Sequence, residues 1–398
     1  MTKKEIHSKI HFYLAIVVAF TLPLGQLTAL FIGLMLLNWL VEGDFKNKFE
    51  SVRKSRFSWL FISFYLLHLL GMLYTHNTDA GLFSLQVKLS LLFFPFILVS
   101  RPLDVEKATM SFIVGCIVSS LIMLSIATYS YFVRHENNFF YEGFSVLVHP
   151  GYLSMYLNVA IAMLLISNSK LNNIKWIKFI LIAFFCGILI LLSSKLNLLV
   201  LVLIFFSCLL YYMIINKKYI IGLSGLILIT LSIVSVLKFV PQISGRIKNA
   251  VSALTSVNSD PSAAESTAVR LLIWKASNDI ISESKLIGVG TGDVQDKLTE
   301  EYKKRGMTGA LENNLNAHNE YYQVFIALGL VGFLLLILNL CLPLWYSYQT
   351  KNVIYLAFLL IIIMNFLPES MLEAQAGTMF YGFFNSLLLF GKSEQDLK

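Results

Sequence analysis

Apolar runs of about the length needed to cross a membrane alternate along the chain with short polar connections. A helix that spans a bilayer needs ~20 predominantly apolar residues. Runs of this kind predict spans at residues 10–24, 26–42, 57–75, 82–100, 108–132, 150–168, 174–193, 196–215, 219–239, 320–347, 353–367 and 370–391. The pattern therefore predicts an all-α polytopic membrane protein with about twelve transmembrane helices.

A polar segment at residues 241–319 interrupts this alternation. It is rich in acidic residues and has glycines at 288, 290 and 292. We therefore expect nine transmembrane helices over residues 1–240 and a large, mainly helical periplasmic loop over 241–319. Three further transmembrane helices and a short cytoplasmic tail are expected over 320–398.

Two helices are predicted inside this polar segment. Apolar residues recur at helical spacing over 268–281, which predicts an amphipathic helix that begins at a cap formed by Ser266 or Thr267. A second helix is predicted over 293–304. The turn-forming residues at 256–265 predict a loop instead.

Composition supports a lipid environment for most of the surface. The 398 residues are 57% hydrophobic and 14% charged, whereas a soluble domain is about 45–50% apolar and about 25% charged. The net charge of +8 would suggest a nucleic-acid partner in a soluble protein. Here the basic residues lie in the loops, where membrane topology places them, so no nucleic-acid partner is expected. The four cysteines lie in apolar runs and form no CxxC pair.

The distribution of Lys and Arg predicts the orientation. When the loops are numbered alternately from an inside N-terminus, 18 of the 31 basic residues fall on the inside, with the densest group at 46–56. Cytoplasmic loops carry the excess of Lys and Arg, so both termini are predicted to be cytoplasmic and the 241–319 segment to lie outside. The first apolar run leads straight into the second, which suits a retained signal anchor rather than a cleaved signal peptide.

Residues 316–323 are the most informative stretch for chemistry. His318 lies where the outer segment meets a span. An imidazole titrates near neutral pH, so a histidine can move a proton under physiological conditions. The alternative is an interfacial histidine without a chemical role.

Four basic residues are candidates for binding an anion. Arg270 lies opposite the apolar stripe of its predicted helix, and its planar guanidinium suits phosphate oxygens, although a solvated helix charge is the alternative. Arg246 is a weaker candidate of the same kind. Lys195 lies between two apolar runs, where a charge faces a watery cavity or an anionic partner, or else extends to the headgroups. Lys88, inside a predicted span, raises the same question.

Several other polar positions are less specific. His149 precedes a proline at the start of a span, and Glu369 and Glu373 open the last predicted span on one helical face, either as proton-relay groups or as a polar helix start. The glycine-rich sequence at 288–293 lacks the Lys-Ser/Thr of a phosphate loop and follows a helix. It therefore predicts a tight turn near a ligand or another backbone. No metal-ligand spacing and no nucleophile elbow is present in the sequence.

Taken in order, these motifs resemble the O-antigen ligase and Wzy-type polymerase family of bacterial cell envelopes. The resemblance covers roughly residues 140–391 and rests on four elements in sequence. They are an R-x-x-x-W helix beginning at Arg270, a glycine-rich turn at 288–293, an HN-x-Y motif at 318–321, and Gly329 to Gly332 in the following span. The His149-Pro150 start and Glu369 match the family pattern as well.

The resemblance implies a glycosyltransferase at the periplasmic face of the bacterial inner membrane. Family members transfer a glycan from undecaprenyl diphosphate to lipid A-core in ligases or to a growing glycan in polymerases, without a metal ion or a cofactor. It implies that His318 is the general base and that Arg270 holds the diphosphate, with Asn319, Tyr321, Arg246, His149 and Glu369 in support. Membrane lipids are the further partner.

One position departs from the family pattern. The second family arginine follows a serine at a turn between two spans, and this chain has Ser194 followed by Lys195. Lysine keeps the charge but loses the bidentate geometry of arginine. Lys195 is therefore expected to neutralise the diphosphate as a point charge and to converge with Arg270 and His318.

Three alternatives to a ligase remain. A Wzy-type polymerase uses the same donor. A transporter or lipid flippase would need broken helices and charges deep in the membrane, and only Lys88 points that way. A binding or scaffold protein with a degenerate site is suggested by Lys195.

Overall fold

The computed structural model describes residues 2–166, 175–255, 262 and 267–392, and this part of the chain is helical without a β-strand. Short 3-10 turns occur at Leu22–Leu24, Met72–Tyr74, Tyr141–Gly143 and Met371–Glu373. The helices are α1 (Lys3–Thr21), α2 (Leu27–Glu42), α3 (Phe45–Lys54), α4 (Arg56–Gly71), α5 (Thr78–Ser100), α6 (Val105–Arg134), α7 (Pro150–Ile166), α8 (Lys175–Leu192), α9 (Lys195–Asn216), α10 (Tyr219–Phe239), α11 (Pro241–Thr255), α12 (Thr267–Glu283), α13 (Val294–Lys304), α14 (Thr308–Glu312), α15 (Glu320–Gln349), α16 (Val353–Asn365) and α17 (Gln375–Phe390).

Every predicted span overlaps a helix of the structure. Among the described residues, seven helices are long and apolar enough to cross a membrane, or up to eight if the bent pair α2–α3 is counted as one span. Apolar helices of 10–17 residues are also present at Pro150–Ile166, Trp176–Leu192 and Val353–Asn365. The all-helical class with several candidate spans is therefore confirmed, and the count of twelve spans stays a prediction.

The chain divides into two compact units. The first unit comprises Met1–Phe112 and Ala253–Lys398, and the second comprises Ile113–Ser252. In the first unit, α5 packs against α17, α4 and α3. Its Phe94 is fully buried and meets Phe383 of α17 edge to face at 5.3 Å. Because α5 is surrounded by other helices, a polar side chain near its middle has to find its partner within the protein.

Three helices were not predicted from the sequence: the five-residue α14 and two longer helices. The first is α3, which turns by 114° from α2 at Gly43 and Asp44, both with positive φ. It carries Lys48, whose ammonium pairs with Glu42 at 2.9 Å inside the first unit. The second is α11, which lies in the predicted 241–319 loop segment. Both helices are too polar to register as spans, so the apolar pattern did not distinguish them from loops.

The helices predicted within the polar segment are present. The predicted 268–281 helix is α12, and its buried face contains Val269, Ile273 and Ala276. The predicted 293–304 helix is α13, which Asp293 precedes as its N-cap residue. Together with α14 they pack on the first turns of α15 in one apolar cluster. The predicted loop at 256–265 lies outside the described residues apart from Ser262, as does the predicted cap at Ser266.

The glycine-rich turn packs directly against a break in α15. The backbone amides of Val289 and Gly290 donate to Ile326 and Ala327 carbonyls, each at 2.9 Å. At Gly329 the helix is interrupted, with φ 63° and ψ −157°. A Cβ at position 288 would lie 2.5 Å from the Ala327 backbone, and one at position 329 would lie 2.4 Å from the Leu286 backbone. The neighbour that these glycines accommodate is therefore another backbone.

The same turn ends at Asp293, which fixes the chain between α4 and α5. Its carboxylate accepts the backbone amides of His76, at 2.9 Å, and Asn77, at 2.7 Å, and lies 3.0 Å from the His76 ring. Burial alone would raise the pKa of Asp293, but these hydrogen bonds outweigh it and hold the pKa below its ordinary value. The turn thus connects the polar segment to the start of α5.

Candidate functional site

Arg270, His318 and Glu369 come together in the first unit. The Arg270 Nη2 atom donates to Glu369 Oε1 at 2.6 Å, and the His318 Nδ1 atom lies 3.4 Å from Glu369 Oε2. The side chains are 24%, 22% and 21% exposed for Arg270, His318 and Glu369 respectively. One carboxylate therefore joins the arginine and the histidine, and all three side chains remain partly exposed.

Trp274 explains how α12 presents Arg270 to this site. Residues four apart share one helical face, so Arg270 and Trp274 lie on the same side of α12. The Trp274 indole N–H donates to the Ala317 carbonyl at 3.2 Å, and its ring stacks on Tyr322 with 6.1 Å between centroids. The R-x-x-x-W motif thus docks the helix beside His318.

The backbone around His318 adopts an uncommon conformation. His318 has φ 44°, in the left-handed region that non-glycine residues rarely occupy. Its amide donates to the Asn316 side chain at 2.9 Å. The Asn319 side chain then accepts the Tyr322 amide at 3.1 Å and caps α15. These local bonds hold the imidazole at the top of α15.

Glu369 lies in the loop between α16 and α17, which we call the 366–374 loop. The Glu320 amide donates to Phe366 O at 2.8 Å, and the Glu320 carboxylate accepts the Leu372 amide at 2.8 Å. The Asn319 amide donates to the Ser370 hydroxyl at 3.2 Å. The start of α15 therefore binds the 366–374 loop through both backbone and side-chain groups.

The prediction that Glu369 and Glu373 share one face of the last span is wrong. The last helix begins at Gln375, and Glu373 belongs to the 3-10 turn Met371–Glu373. The Glu320 contacts at Phe366 O and at the Leu372 amide hold this loop against the start of α15, and the last helix begins only after the loop. As a result the two carboxylates have different partners: Glu369 contacts Arg270 and His318, whereas Glu373 contacts Lys88 at 2.7 Å.

Tyr321 acts as a further tether between α15 and α16. Its hydroxyl donates to the Ile363 carbonyl at 3.1 Å. Asn319 is buried and serves as the cap described above. Asn319 and Tyr321 therefore bind backbone groups of α15 and α16 in the turn that follows His318.

The remaining candidates belong to the second unit. Lys195 is the first residue of α9, after Ser194. The Arg246 guanidinium carbon lies 3.6 Å from the centroid of the Tyr141 ring, and Tyr141 in turn meets the His149 ring at 6.3 Å. The expected convergence of Lys195 with Arg270 and His318 stays a prediction.

The site offers two kinds of chemistry. With the proton on Nδ1, the His318 ring faces the Glu369 carboxylate and leaves Nε2 to accept a proton from a substrate hydroxyl. Such a carboxylate orients the imidazole and stabilises its charged form. Arg270 supplies a fixed positive charge, and its Nε is buried without a hydrogen-bond partner among the described residues. In the same part of the chain, no group of three or more His, Cys, Asp or Glu side chains could hold a metal ion.

Sequence reasoning missed three members of this arrangement. Trp274 was noted only as part of a motif, although its spacing from Arg270 indicated a shared helical face. Glu320 is not among the predicted site residues, and its complete burial has no signature in the sequence. The pairing of Lys88 with Glu373 joins residues 285 positions apart, and a single sequence carries no signal for it.

The fold and the site define a helical protein with several candidate membrane spans, in which an imidazole, a carboxylate and a guanidinium lie in contact. Residues 179–337 match the family model described as O-antigen ligase. Over these residues the chain is therefore similar to the O-antigen ligase family, and the resemblance seen in the motifs is confirmed. The match includes Lys195, Arg246, Arg270 and His318.

A distant relative is also found in Haemophilus influenzae strain Rd. This uncharacterized protein is 29% identical over 192 residues, which is 46% of this chain. The match covers 47% of the relative, so the chain spans about half of that protein's length.

Proposed function

We propose that the protein is a membrane glycosyltransferase of the O-antigen ligase type. It transfers a glycan from undecaprenyl diphosphate to lipid A-core at the periplasmic face of the bacterial inner membrane. The observation that carries the proposal is the shared contact of Arg270 and His318 with Glu369. That contact brings a cation for the leaving group next to a base for the acceptor.

In the transfer step, an acceptor hydroxyl oxygen attacks the anomeric carbon of the donor glycan. The bond from that carbon to the diphosphate oxygen breaks, and undecaprenyl diphosphate leaves with the electron pair. His318 Nε2 accepts the proton of the hydroxyl. The Arg270 guanidinium, assisted by the Lys195 ammonium, stabilises the negative charge that develops on the diphosphate.

Glu369 has two roles in this scheme. Before the donor binds, it is the counter-ion of Arg270. Once the diphosphate takes that place, Glu369 is left to hold the imidazole and to stabilise the imidazolium that forms during proton transfer. The 3.4 Å contact with His318 is long, as catalytic hydrogen bonds often are before a substrate tightens them.

The topology in this proposal is the one that the charge distribution predicts. Twelve helices cross the inner membrane, both termini are cytoplasmic, and residues 241–319 face the periplasm. The lipid-linked donor then reaches Arg270 and His318 along the outer leaflet. The reaction uses acid–base and electrostatic catalysis, without a metal ion or cofactor.

In vitro transfer tests the proposal. Purified protein in lipid vesicles is supplied with undecaprenyl-diphosphate glycan from the source cells and with either lipid A-core or free glycan as acceptor. We expect a product with lipid A-core, and transfer at least about 100-fold slower for His318→Ala and for Arg270→Ala. Arg305→Ala removes another ion-paired arginine of the same polar segment and is the matched control, with transfer unchanged.

Each other outcome points to a different function. Extension of the free glycan instead of lipid A-core would make the protein a Wzy-type polymerase. Movement of the lipid donor across the vesicle membrane without a covalent product would indicate a flippase. Wild-type transfer by both His318→Ala and Arg270→Ala would overturn the enzymatic role of this site.

A further inference from the structure

Lys88 is a fully buried charge in the middle of a candidate membrane span. It is the eleventh of the 23 residues of α5 and has no exposed surface. Its ammonium donates to the Glu373 carboxylate at 2.7 Å and to the Ser84 hydroxyl at 2.8 Å. A buried charge at such a depth is costly unless it is paired, and charges that persist there generally have a functional role.

The partner of Lys88 belongs to the same loop as the carboxylate of the candidate site. Within the 366–374 loop, Glu369 contacts Arg270 and His318 at one end, and Glu373 contacts Lys88 at the other. Between them, the Leu372 amide is bound by Glu320. The loop is therefore held from α5 as well as from α15, while its Glu369 carboxylate remains partly exposed.

Charge balance explains why α5 supplies a cation here. Glu320 is completely buried and lies within electrostatic range of both Glu373 and Lys88. Two carboxylates close together repel each other strongly where water is excluded. The ammonium of Lys88 offsets this repulsion, so the turn Met371–Glu373 can lie against the start of α15.

On this basis, and resting on the proposed function, we propose that Lys88 is a positioning residue for glycan transfer. Its ion pair with Glu373 fixes the 366–374 loop, and thereby fixes Glu369 against His318 and Arg270. A displacement of about 1 Å in a catalytic constellation is enough to slow a reaction by ~100-fold. Lys88 acts on the reaction only through Glu369 and does not contact the substrate.

A double neutral variant separates positioning from folding. Lys88→Met alone would leave the partly buried Glu373 carboxylate without its cation and destabilise the protein. Lys88→Met combined with Glu373→Gln removes both charges and keeps the side-chain volumes close to the original. The variant also removes the repulsion between Glu373 and Glu320, which offsets the loss of the Lys88 charge near Glu320, so we expect its thermal midpoint to stay within a few degrees of the wild type. Its kcat for transfer is expected to fall ~10- to 100-fold, with KM for the donor changed less than about threefold.

A triple variant tests whether the effect passes through Glu369. If Lys88 acts only by placing Glu369, then adding the double neutral change to Glu369→Gln lowers kcat by less than about twofold further. Losses that multiply would contradict the proposal. A wild-type kcat in the double neutral variant, or a kcat that falls only in proportion to the amount of folded protein, would contradict it as well.

A buried pair elsewhere in the first unit provides the matched control. Lys48 and Glu42 are 3% and 5% exposed and lie 2.9 Å apart. Lys48 belongs to α3, which packs beside the carboxyl end of α5, where Phe49 meets Phe96 at 6.0 Å. Lys48→Met with Glu42→Gln is expected to lower the thermal midpoint, because Arg101 also binds Glu42, and to leave the kcat of the folded protein unchanged.

Hydrogen exchange provides a readout that does not depend on catalysis. In the double neutral variant we expect the amides of the 366–374 loop to exchange at least about tenfold faster than in the wild type, with α13 unchanged. Wild-type exchange in this loop would overturn the positioning role. If instead the loop loosens but no variant of the protein forms a glycan product, the proposed function fails while the structural role of Lys88 stands.

Discussion

Two motifs flank α13 and α14: the glycine-rich turn at 288–293 before them and the stretch at 316–322 after them. They have different structural roles. The glycine-rich turn at 288–293 brings backbones together, with amides of the turn bound to carbonyls of α15. The stretch at 316–322 uses its backbone to place side chains, and His318 emerges from it beside Glu369. The comparison shows that one family motif can serve to bring two backbones close together, whereas another serves to position a reactive side chain.

Gly288→Ala gives the largest expected effect and concerns the turn. The new methyl group would lie 2.5 Å from the Ala327 backbone, on a residue with φ 73°. The clash and the left-handed backbone together should cost about 3–5 kcal/mol. Thermal unfolding in detergent should show a large fall in the midpoint.

Gly306→Ala is the control for this prediction. Gly306 has φ 66°, and no other atom lies within 4 Å of the place that a methyl group would occupy. Its substitution therefore carries only the conformational cost of about 1 kcal/mol. Equal destabilisation by the two substitutions would show that close backbone approach is not what the turn requires.

Trp274→Phe probes the other motif. Phenylalanine keeps a ring beside Tyr322 but leaves the Ala317 carbonyl without its indole donor, at a cost of about 1.4 kcal/mol. Because this bond places Arg270, we expect the kcat for transfer to fall about tenfold, with a small change in thermal midpoint. Trp345, which is 62% exposed, gives the control: Trp345→Phe should transfer at the wild-type rate, and an equal loss in both variants would refute the docking role.

The smallest expected effect is the change in stability on acidification that depends on Asp293, the last residue of the glycine-rich turn. The pKa of Asp293 is held below its ordinary value by the His76 and Asn77 hydrogen bonds. The stability that Asp293 contributes is therefore complete above its unfolded-state pKa of about 4 and is lost as the pH falls below that value. Asp293→Asn should cost about 1 kcal/mol at pH 7.

Measuring the free energy of unfolding between pH 7 and pH 3 checks whether the contribution of Asp293 to stability falls or rises in acid. The difference in stability between the wild type and Asp293→Asn should shrink as the pH falls, because protonation removes the charge that the wild type uses. A difference that grows in acid would mean that Asp293 is bound in its protonated form.

Much of the fold was predictable because the length of an apolar run can be read directly from the local sequence. All twelve predicted spans coincide with helices, and α12 and α13 were anticipated from their spacing. The helices α3 and α11 were missed because they are too polar to stand out from loops. The sequence could not predict that Glu369 and Glu373 leave the helix, since this depends on Glu320 binding the 366–374 loop from a distant part of the chain.

The sequence identified most residues of the candidate site but not the contacts between them. Arg270 and His318 were found through motifs with a chemical rationale, and Glu369 through a family pattern. That one carboxylate contacts both residues depends on how α12, α15 and the 366–374 loop pack. Lys88 could be flagged as a charge inside a span, but its partner could be identified only from the tertiary structure.

A single-turnover experiment tests the central claim most directly. Wild-type protein and His318→Ala, each in molar excess over undecaprenyl-diphosphate glycan, are mixed with lipid A-core and sampled for the covalent product by mass spectrometry, with donor binding measured in parallel. We predict equal donor affinity and a rate of product formation at least about 100-fold lower for His318→Ala. Product formation by His318→Ala at the wild-type rate would contradict the account.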